Sequence, residues 1–276
     1  MQWQTSRFLM DLNTPRVMGI VNVTPDSFSD GGQHASGSAA MRHCEQLLKE
    51  GADILDIGGE STRPGARVVS LEEELARVLP VVRHAVTLGV PVSVDTYKPV
   101  VMQAVLDLGA DIINDIWALR WRDRPEGLSG TAVVAAHASC GVCLMHMHRD
   151  PQTMQLAPMD GDVVPQVLLF LERAAQSLQA QGVHKSRIVL DPGIGFGKTV
   201  AQNFALLARQ AELLQAGYPL LLGWSRKSSI GAALQGDAAE PPPPAARVTG
   251  SVAAALMAVE RGAAIVRVHD VRETVQ

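Results

Sequence analysis

No stretch of this chain is long and apolar enough to cross a membrane. The nearest candidate, Ala132–Met145, is interrupted by His137 and falls short of the roughly 20 residues a spanning helix needs. Met1–Asn13 lacks the apolar centre of a secretory leader, so none is expected. Cysteine is scarce. Three residues, an odd number, argue against a disulfide framework and for a reducing, cytoplasmic setting. Runs of like charge are missing too: Lys and Arg are scattered and the net charge is −4, which argues against nucleic acid as the main partner. What the chain does have is core material. With 47% hydrophobic and 19% charged residues, disorder is excluded, and 276 residues suit one α/β domain spanning 1–276.

Eight short apolar runs follow one another, and nearly every one ends on a residue that ionises or hydrogen-bonds. Val17–Val21 leads to Asn22, Ile54–Leu55 to Asp56, Val90–Val94 to Asp95 and Ile112–Ile113 to Asn114. Val142–Met145 leads to His146, Ile188–Leu190 to Asp191, Leu220–Leu222 to Ser225, and Ile265–Val266 to Arg267 and His269. If the runs are parallel strands, their C-terminal ends share the face where α/β enzymes build their sites. Glycine precedes a run at Gly51, Gly89, Gly109, Gly141, Gly182, Gly217 and Gly262, as expected where a left-handed residue closes a helix and releases the chain into a strand. Seven such junctions joining eight strands predict a single-domain (β/α)8 TIM barrel, with a doubly wound open sheet as the alternative.

The intervening segments carry apolar residues at helical spacing: Ala39–Lys49, Leu71–Leu88, Val100–Leu108, Leu128–Ser139, Val163–Gln181, Asn203–Gln215 and Ala245–Arg261. Pro241–Pro244 predicts a loop before the last long helix. Six residues follow Asp270, so the eighth helix is expected to be truncated.

Two polar loops open from the first strands. Asn22–Gly32 offers oxygen ligands in Asn22, Asp26 and Asp30, a set that suits a hard cation such as Mg²⁺ shared with a phosphate; a solvated, capped loop is the plain alternative. Gly58–Gly65 brings Thr62 and Arg63, the latter suited to an anion. Together with Ser93–Thr96, Ile113–Ile116, Leu144–Met147, Asp191–Lys198, Ser225–Lys227 and Arg267–Asp270, these segments resemble the dihydropteroate synthases in order along almost the whole chain.

The resemblance implies a reaction: 6-hydroxymethyl-7,8-dihydropterin pyrophosphate condenses with p-aminobenzoate, giving 7,8-dihydropteroate and pyrophosphate. A pterin edge calls for a carboxylate and a carboxamide in a dry pocket, which Asp191 and Asn114 can supply, with Asp95 across the ring system and Lys227 reaching its carbonyl. Met145 joins the implied pterin set. Helix capping is the alternative reading for Asp95 and Asn114, because a helix is predicted from near Pro99. For the pyrophosphate the resemblance implies Asn22, Thr62, Arg63, Arg267 and His269, with Asn22 and Asp30 on Mg²⁺. For the aminobenzoate pocket, which sulfonamides occupy in this family, it implies Phe28, Pro64, Phe196, Lys227 and Ser228. Asp95, Lys227 and Arg63 are the implied catalytic residues, and dissociative departure of pyrophosphate is the expected route. A homodimer and a cytoplasmic location follow from the same resemblance.

Other motifs are weaker. Gly193–Thr199 looks like a phosphate loop, but Pro192 stands where the Walker pattern needs glycine. Cys140-Gly-Val-Cys143 places its second thiol inside a strand rather than at a helix start, and His146-Met-His148 lacks carboxylate partners for zinc. Tyr97 stands where the family usually has a small serine, with its hydroxyl expected either to line the pocket rim or to cap the helix; His148 stands where glutamine is common, and neither it nor Trp117–Glu126 receives a role. The competing functions are a pterin-dependent methyltransferase, which would not need the two polar loops, and a non-catalytic pterin-binding paralogue.

Overall fold

A computed structural model describes residues 1–23, 32–62, 65–124 and 126–276, the side chains of residues 32–36 excepted. Its first feature is one the sequence does not announce: an antiparallel pair, β1 (Gln2–Gln4) and β2 (Leu9–Asp11), registered Trp3 to Met10. Eight parallel strands follow: β3 (Arg16–Asn22), β4 (Ile54–Gly58), β5 (Val92–Asp95), β6 (Ile112–Asp115), β7 (Gly141–Met145), β8 (Ile188–Asp191), β9 (Leu221–Leu222) and β10 (Ile265–Val268). They run in sequence order around the sheet, and β10 pairs with both β3 and β9. A parallel bridge between Leu190 and Leu220 joins β8 to the start of β9 and closes the ring. Closure excludes the doubly wound open sheet, and the chain is a single (β/α)8 barrel.

Helices α1 (Gly32–Lys49), α2 (Leu71–Ala85), α3 (Pro99–Asp107), α4 (Gly130–Ala136), α5 (Val163–Gln179), α6 (Val200–Ala208), α7 (Gln210–Leu213), α8 (Ser228–Leu234), α9 (Val248–Glu260) and α10 (Val271–Val275) surround the strands. Central strands such as β4, β6 and β7 are buried at every residue, which explains their unbroken apolar runs. The predicted Asn203–Gln215 helix is two pieces, broken at Arg209, whose guanidinium binds Asp162 and Glu212. Short α8 was not anticipated. Pro244 opens a single tight turn into α9, and α10 occupies the last residues of the chain.

Six of the seven junction glycines have left-handed backbones, from φ 72° at Gly217 to 102° at Gly51. Gly141 does not. It lies inside β7, and a Cβ there would meet Trp3 Nε1 at 3.1 Å, so close packing demands the glycine. Trp3 is fully buried against Met18, Ile54, Ile112, Val189, Leu221 and Ile265, and its indole donates to Arg187 O at 2.9 Å. The β1–β2 pair thus plugs the N-terminal end of the barrel and leaves the opposite end for chemistry. Among the described residues no helix is long and apolar enough to cross a membrane.

Candidate active site

Parallel register decides which polar residues become neighbours. Asn22 aligns with Gly58, Gly58 with Asp95, and Asp95 with Asn114, so residues of four adjacent strands stand at one level. On the next strands Met145 aligns with Asp191. The convergence expected from the apolar runs is therefore present on these six strands. Three boundaries differ: β6 continues past Asn114 to Asp115, β10 past Arg267 to Val268, and β4 past Asp56 to Gly58, placing Asp56 within the strand and fully buried.

That shift creates the electrostatic centre. Arg267 donates through Nε to Asp56 Oδ2 at 2.6 Å and through Nη2 to Asp95 Oδ2 at 2.8 Å. Asn114 Nδ2 donates to the same Asp56 oxygen at 3.2 Å, while Asp56 Oδ1 is buried with no hydrogen-bond partner among the described residues. Capping is excluded for both Asp95 and Asn114. The N-cap of α3 is Lys98, which makes no side-chain cap bond, and Asp95 is turned to Arg267 instead. Burial pushes the Asp95 carboxyl up to about 7; Arg267 opposes this rise and the charge of Asp56 adds to it.

The Asp191–Lys198 segment forms the neighbouring wall. Asp191 is buried, accepts the Gly193 N–H at 2.7 Å, and has its carboxyl raised by burial despite nearby Lys227. Gly193 has φ 68°, and a Cβ on it would stand 1.9 Å from His146 O, so no other residue fits. Lys198 is no phosphate ligand: its buried ammonium donates to Gly193 O at 2.9 Å and Phe196 O at 3.1 Å and faces His146 Nδ1 at 3.0 Å. His146 also packs edge-on against Phe170. Burial and the Lys198 charge lower its pKa to about 2, which keeps it neutral.

Lys227 closes the arrangement. Its ammonium lies 5.0 Å from the centre of the Phe196 ring and donates to Ile194 O, and burial lowers its pKa to about 8 against the pull of Asp191. The residue before it, Arg226, holds a left-handed backbone at φ 60°. Bonds of its guanidinium to both oxygens of Asp270, at 3.0 and 2.5 Å, and of its N–H to Ser251 Oγ at 2.9 Å stabilise that conformation. His269 Nδ1 and N–H both meet Ser225 Oγ, at 2.9 and 3.1 Å.

Asp95, Asn114, Asp191, Lys227, Arg267 and Met145 are thus brought together, and Met145 is buried with Met147 and Ile116 in a small apolar cluster against which Phe196 packs. Asn22 stands at the end of β3, Thr62 is half-buried in the loop after β4, and Ser228 is exposed at the first position of α8. Asp26, Phe28, Asp30, Arg63 and Pro64 lie outside the described residues. Both candidate redox cysteines are buried, Cys143 inside β7, and burial pushes both thiols up, away from the reactive thiolate.

Sequence reasoning missed three features here. Asp56 was visible as a strand-end acid, but nothing local marks it as the partner of an arginine 211 residues away. Arg226 with Asp270, and the Lys198 clamp, sat inside recognised motifs without a role. A cavity of about 510 Å³ lies away from these residues, between α4 and α5, with Arg120, Phe170 and Arg173 among its walls.

The family described as pterin binding enzyme matches residues 18–269. Dihydropteroate synthase of Neisseria meningitidis serogroup C is 52% identical over 275 residues, covering 99% of this chain and 93% of the relative. Among solved structures, Burkholderia cenocepacia dihydropteroate synthase complexed with 7,8-dihydropteroate superposes with a TM-score of 0.87 at 49% identity, covering 99% of this chain and 92% of that one. The Xanthomonas albilineans dihydropteroate synthase with 4-aminobenzoic acid also gives a TM-score of 0.87 at 49% identity, with 97% and 92% coverage.

Proposed function

The chain belongs to the dihydropteroate synthases within the pterin binding enzymes, and on that premise we propose how its residues carry the family's condensation. Asp191 and Asn114 bind the amide and guanidine-like edge of the dihydropterin, with Met145 against its face and Lys227 on its carbonyl. Pyrophosphate leaves as the carbon–oxygen bond of the 6-methylene breaks. The cation left on the pterin is stabilised by ionised Asp95, and the aminobenzoate nitrogen then attacks and gives up a proton. No protein nucleophile takes part. Thr62, Arg63, Arg267, His269 and Asn22 receive the departing pyrophosphate, and Phe28, Pro64, Phe196, Lys227 and Ser228 shape the aminobenzoate site.

Mg²⁺ fits this site through oxygen donors. Asn22 ends β3 beside Gly58, where its carboxamide oxygen would serve a hard cation, with Asp30 as the second ligand. When bound, the ion supplies positive charge to the pyrophosphate. Among the described residues no cluster of three His, Cys, Asp or Glu forms a metal site, and a cation held largely by substrate phosphates needs none. A homodimer completes the reading, supported by exposed Leu234, Leu256 and Met257 on α8 and α9, and three unpaired cysteines support a cytoplasmic setting.

The observation that carries the proposal is the convergence of Asp95, Asn114, Asp191 and Lys227 on one barrel mouth, with Arg267 balancing the acids. Its test is release of pyrophosphate with formation of dihydropteroate from Mg²⁺, the pterin pyrophosphate and p-aminobenzoate, each omitted in turn. Asp95→Ala and Lys227→Ala should each lower the rate by about 100-fold or more. Binding of the pterin substrate by the wild-type chain without product would instead make it a non-catalytic pterin-binding protein.

A further inference from the structure

Two features that the reaction leaves unused meet at the rim of the barrel. Tyr97 follows Asp95 and Thr96 in the turn from β5 to α3, and its ring packs edge-on against Trp121, centroids 5.2 Å apart at 64°. The turn that presents Trp117 and Trp121 is fixed by buried Asp115, which accepts the N–H groups of Trp117 and Leu119 at 2.8 and 2.6 Å. Tyr97 also packs, like Phe196, against the apolar cluster that holds Met145.

The Tyr97 hydroxyl donates to Glu60 Oε1 at 3.0 Å, and the next residue, Lys98, donates to Glu60 Oε2 at 2.6 Å. Two consecutive residues therefore grip both oxygens of one carboxylate. Lys98 is buried and also binds Glu74 Oε2 at 2.5 Å and Val69 O at 2.7 Å, so one ammonium faces two carboxylates. Tyr97 gives the second Glu60 oxygen a neutral donor, and a phenol reaches it where a serine side chain would be several ångströms shorter. Burial, then the negative charge of Glu60, raises the phenol's pKa and keeps it a donor at every working pH.

Glu60 lies in the loop after β4, two residues before Thr62; Tyr97 lies two residues after Asp95. We propose that Tyr97 is a positioning residue that locks the pterin-side turn carrying Asp95 to the pyrophosphate-side loop carrying Thr62, with Trp121 fixing the angle of its ring. Pterin and pyrophosphate are then presented to one preassembled surface rather than to two independent segments, which lowers the ordering cost of binding the joined substrate. The proposal rests on the synthase reading above.

The test is steady-state kinetics of Tyr97→Phe, which keeps the ring and removes only the hydroxyl. KM for the pterin pyrophosphate should rise by about three- to tenfold, less than the full effect of a lost hydrogen bond to a carboxylate because the hydroxyl acts on the substrate only through Glu60, with KM for p-aminobenzoate unchanged. Glu60→Gln should show the same split, and adding Tyr97→Phe to Glu60→Gln should raise KM by less than the single change does. Trp121→Ala should shift the same constant in the same direction. Equal change in both KM values, a lower melting temperature with wild-type KM values, or full additivity in the double variant would each overturn the proposal. If Tyr97→Phe does not fold, wild-type KM values in Glu60→Gln would overturn it alone. An inactive wild-type chain would instead refute the synthase reading, so the two failures are distinguishable.

Discussion

Asp56 is the residue whose replacement reports most directly on the site's electrostatics. It is fully buried, carries one oxygen bonded to Arg267 at 2.6 Å and to Asn114 at 3.2 Å, and makes the Asp95 carboxyl harder to ionise. Asp56→Asn keeps shape and volume while removing the charge. Arg267 retains Asp95, so the loss is that of one charge-assisted bond made neutral, about 1–3 kcal/mol in urea denaturation at pH 8. Asp56→Ala removes the partner altogether and should cost about 3–5 kcal/mol, because an arginine and a carboxamide then lose a buried acceptor.

The pH profile is the sharper assay. With Asp95 required as the anion and Lys227 as the cation, kcat/KM for the pterin pyrophosphate should rise through about 7 and fall through about 8. In Asp56→Asn the acid limb should move to lower pH, since a negative neighbour is gone and Arg267 has one carboxylate fewer to satisfy. Stability follows the same sign. A carboxyl raised from its ordinary 3.8 to about 7 favours the fold while protonated, so that contribution is whole below pH 3.8 and disappears as pH rises through 7. The variant should show a shallower decline across this window. An acid limb that stays in place or moves upward would refute the coupling of Asp56 to Asp95.

Two further changes probe the frame. Trp3→Ala should destabilise the chain by about 3–5 kcal/mol in urea while leaving both KM values unchanged, because it empties the plugged end and touches nothing at the mouth. A loss under about 1 kcal/mol would show that the β1–β2 pair is an appendage rather than a plug. Gly193→Ala should be destabilised by more than about 4 kcal/mol or fail to accumulate folded, since its methyl would overlap His146 O at a left-handed backbone position; a wild-type melting curve would show that this loop can reposition freely.

What the sequence made legible was local. Apolar runs ending on Asp95, Asn114 and Asp191, and glycines closing helices, each involve a few adjacent residues, and the barrel follows from their repetition. The β1–β2 pair escaped because three-residue strands carry too little alternation to stand out, and Gly141 was read as a helix terminator when Trp3, far away in sequence, determines it. The same reason hid the pairing of Asp56 with Arg267 and of Tyr97 with Glu60. Which charge meets which is set by strand register around a closed ring, and register is a property of the assembled sheet. A strand end shows that a residue enters the pocket; it does not show what stands opposite.

The ring is also uneven around its circumference. From β3 to β8 neighbouring strands share ladders of three to five registered pairs, whereas β9 contributes only two to β10 and a single bridge from Leu220 to β8. This seam lies between the strand that delivers Asp191 and the one that precedes Lys227. Amide protons should exchange with solvent sooner along Leu220–Leu222 than along Ile54–Gly58. The mouth is therefore held unevenly: Asp95 and Asn114 stand on strands tied by full ladders, whereas Lys227 follows the strand with the fewest registered pairs.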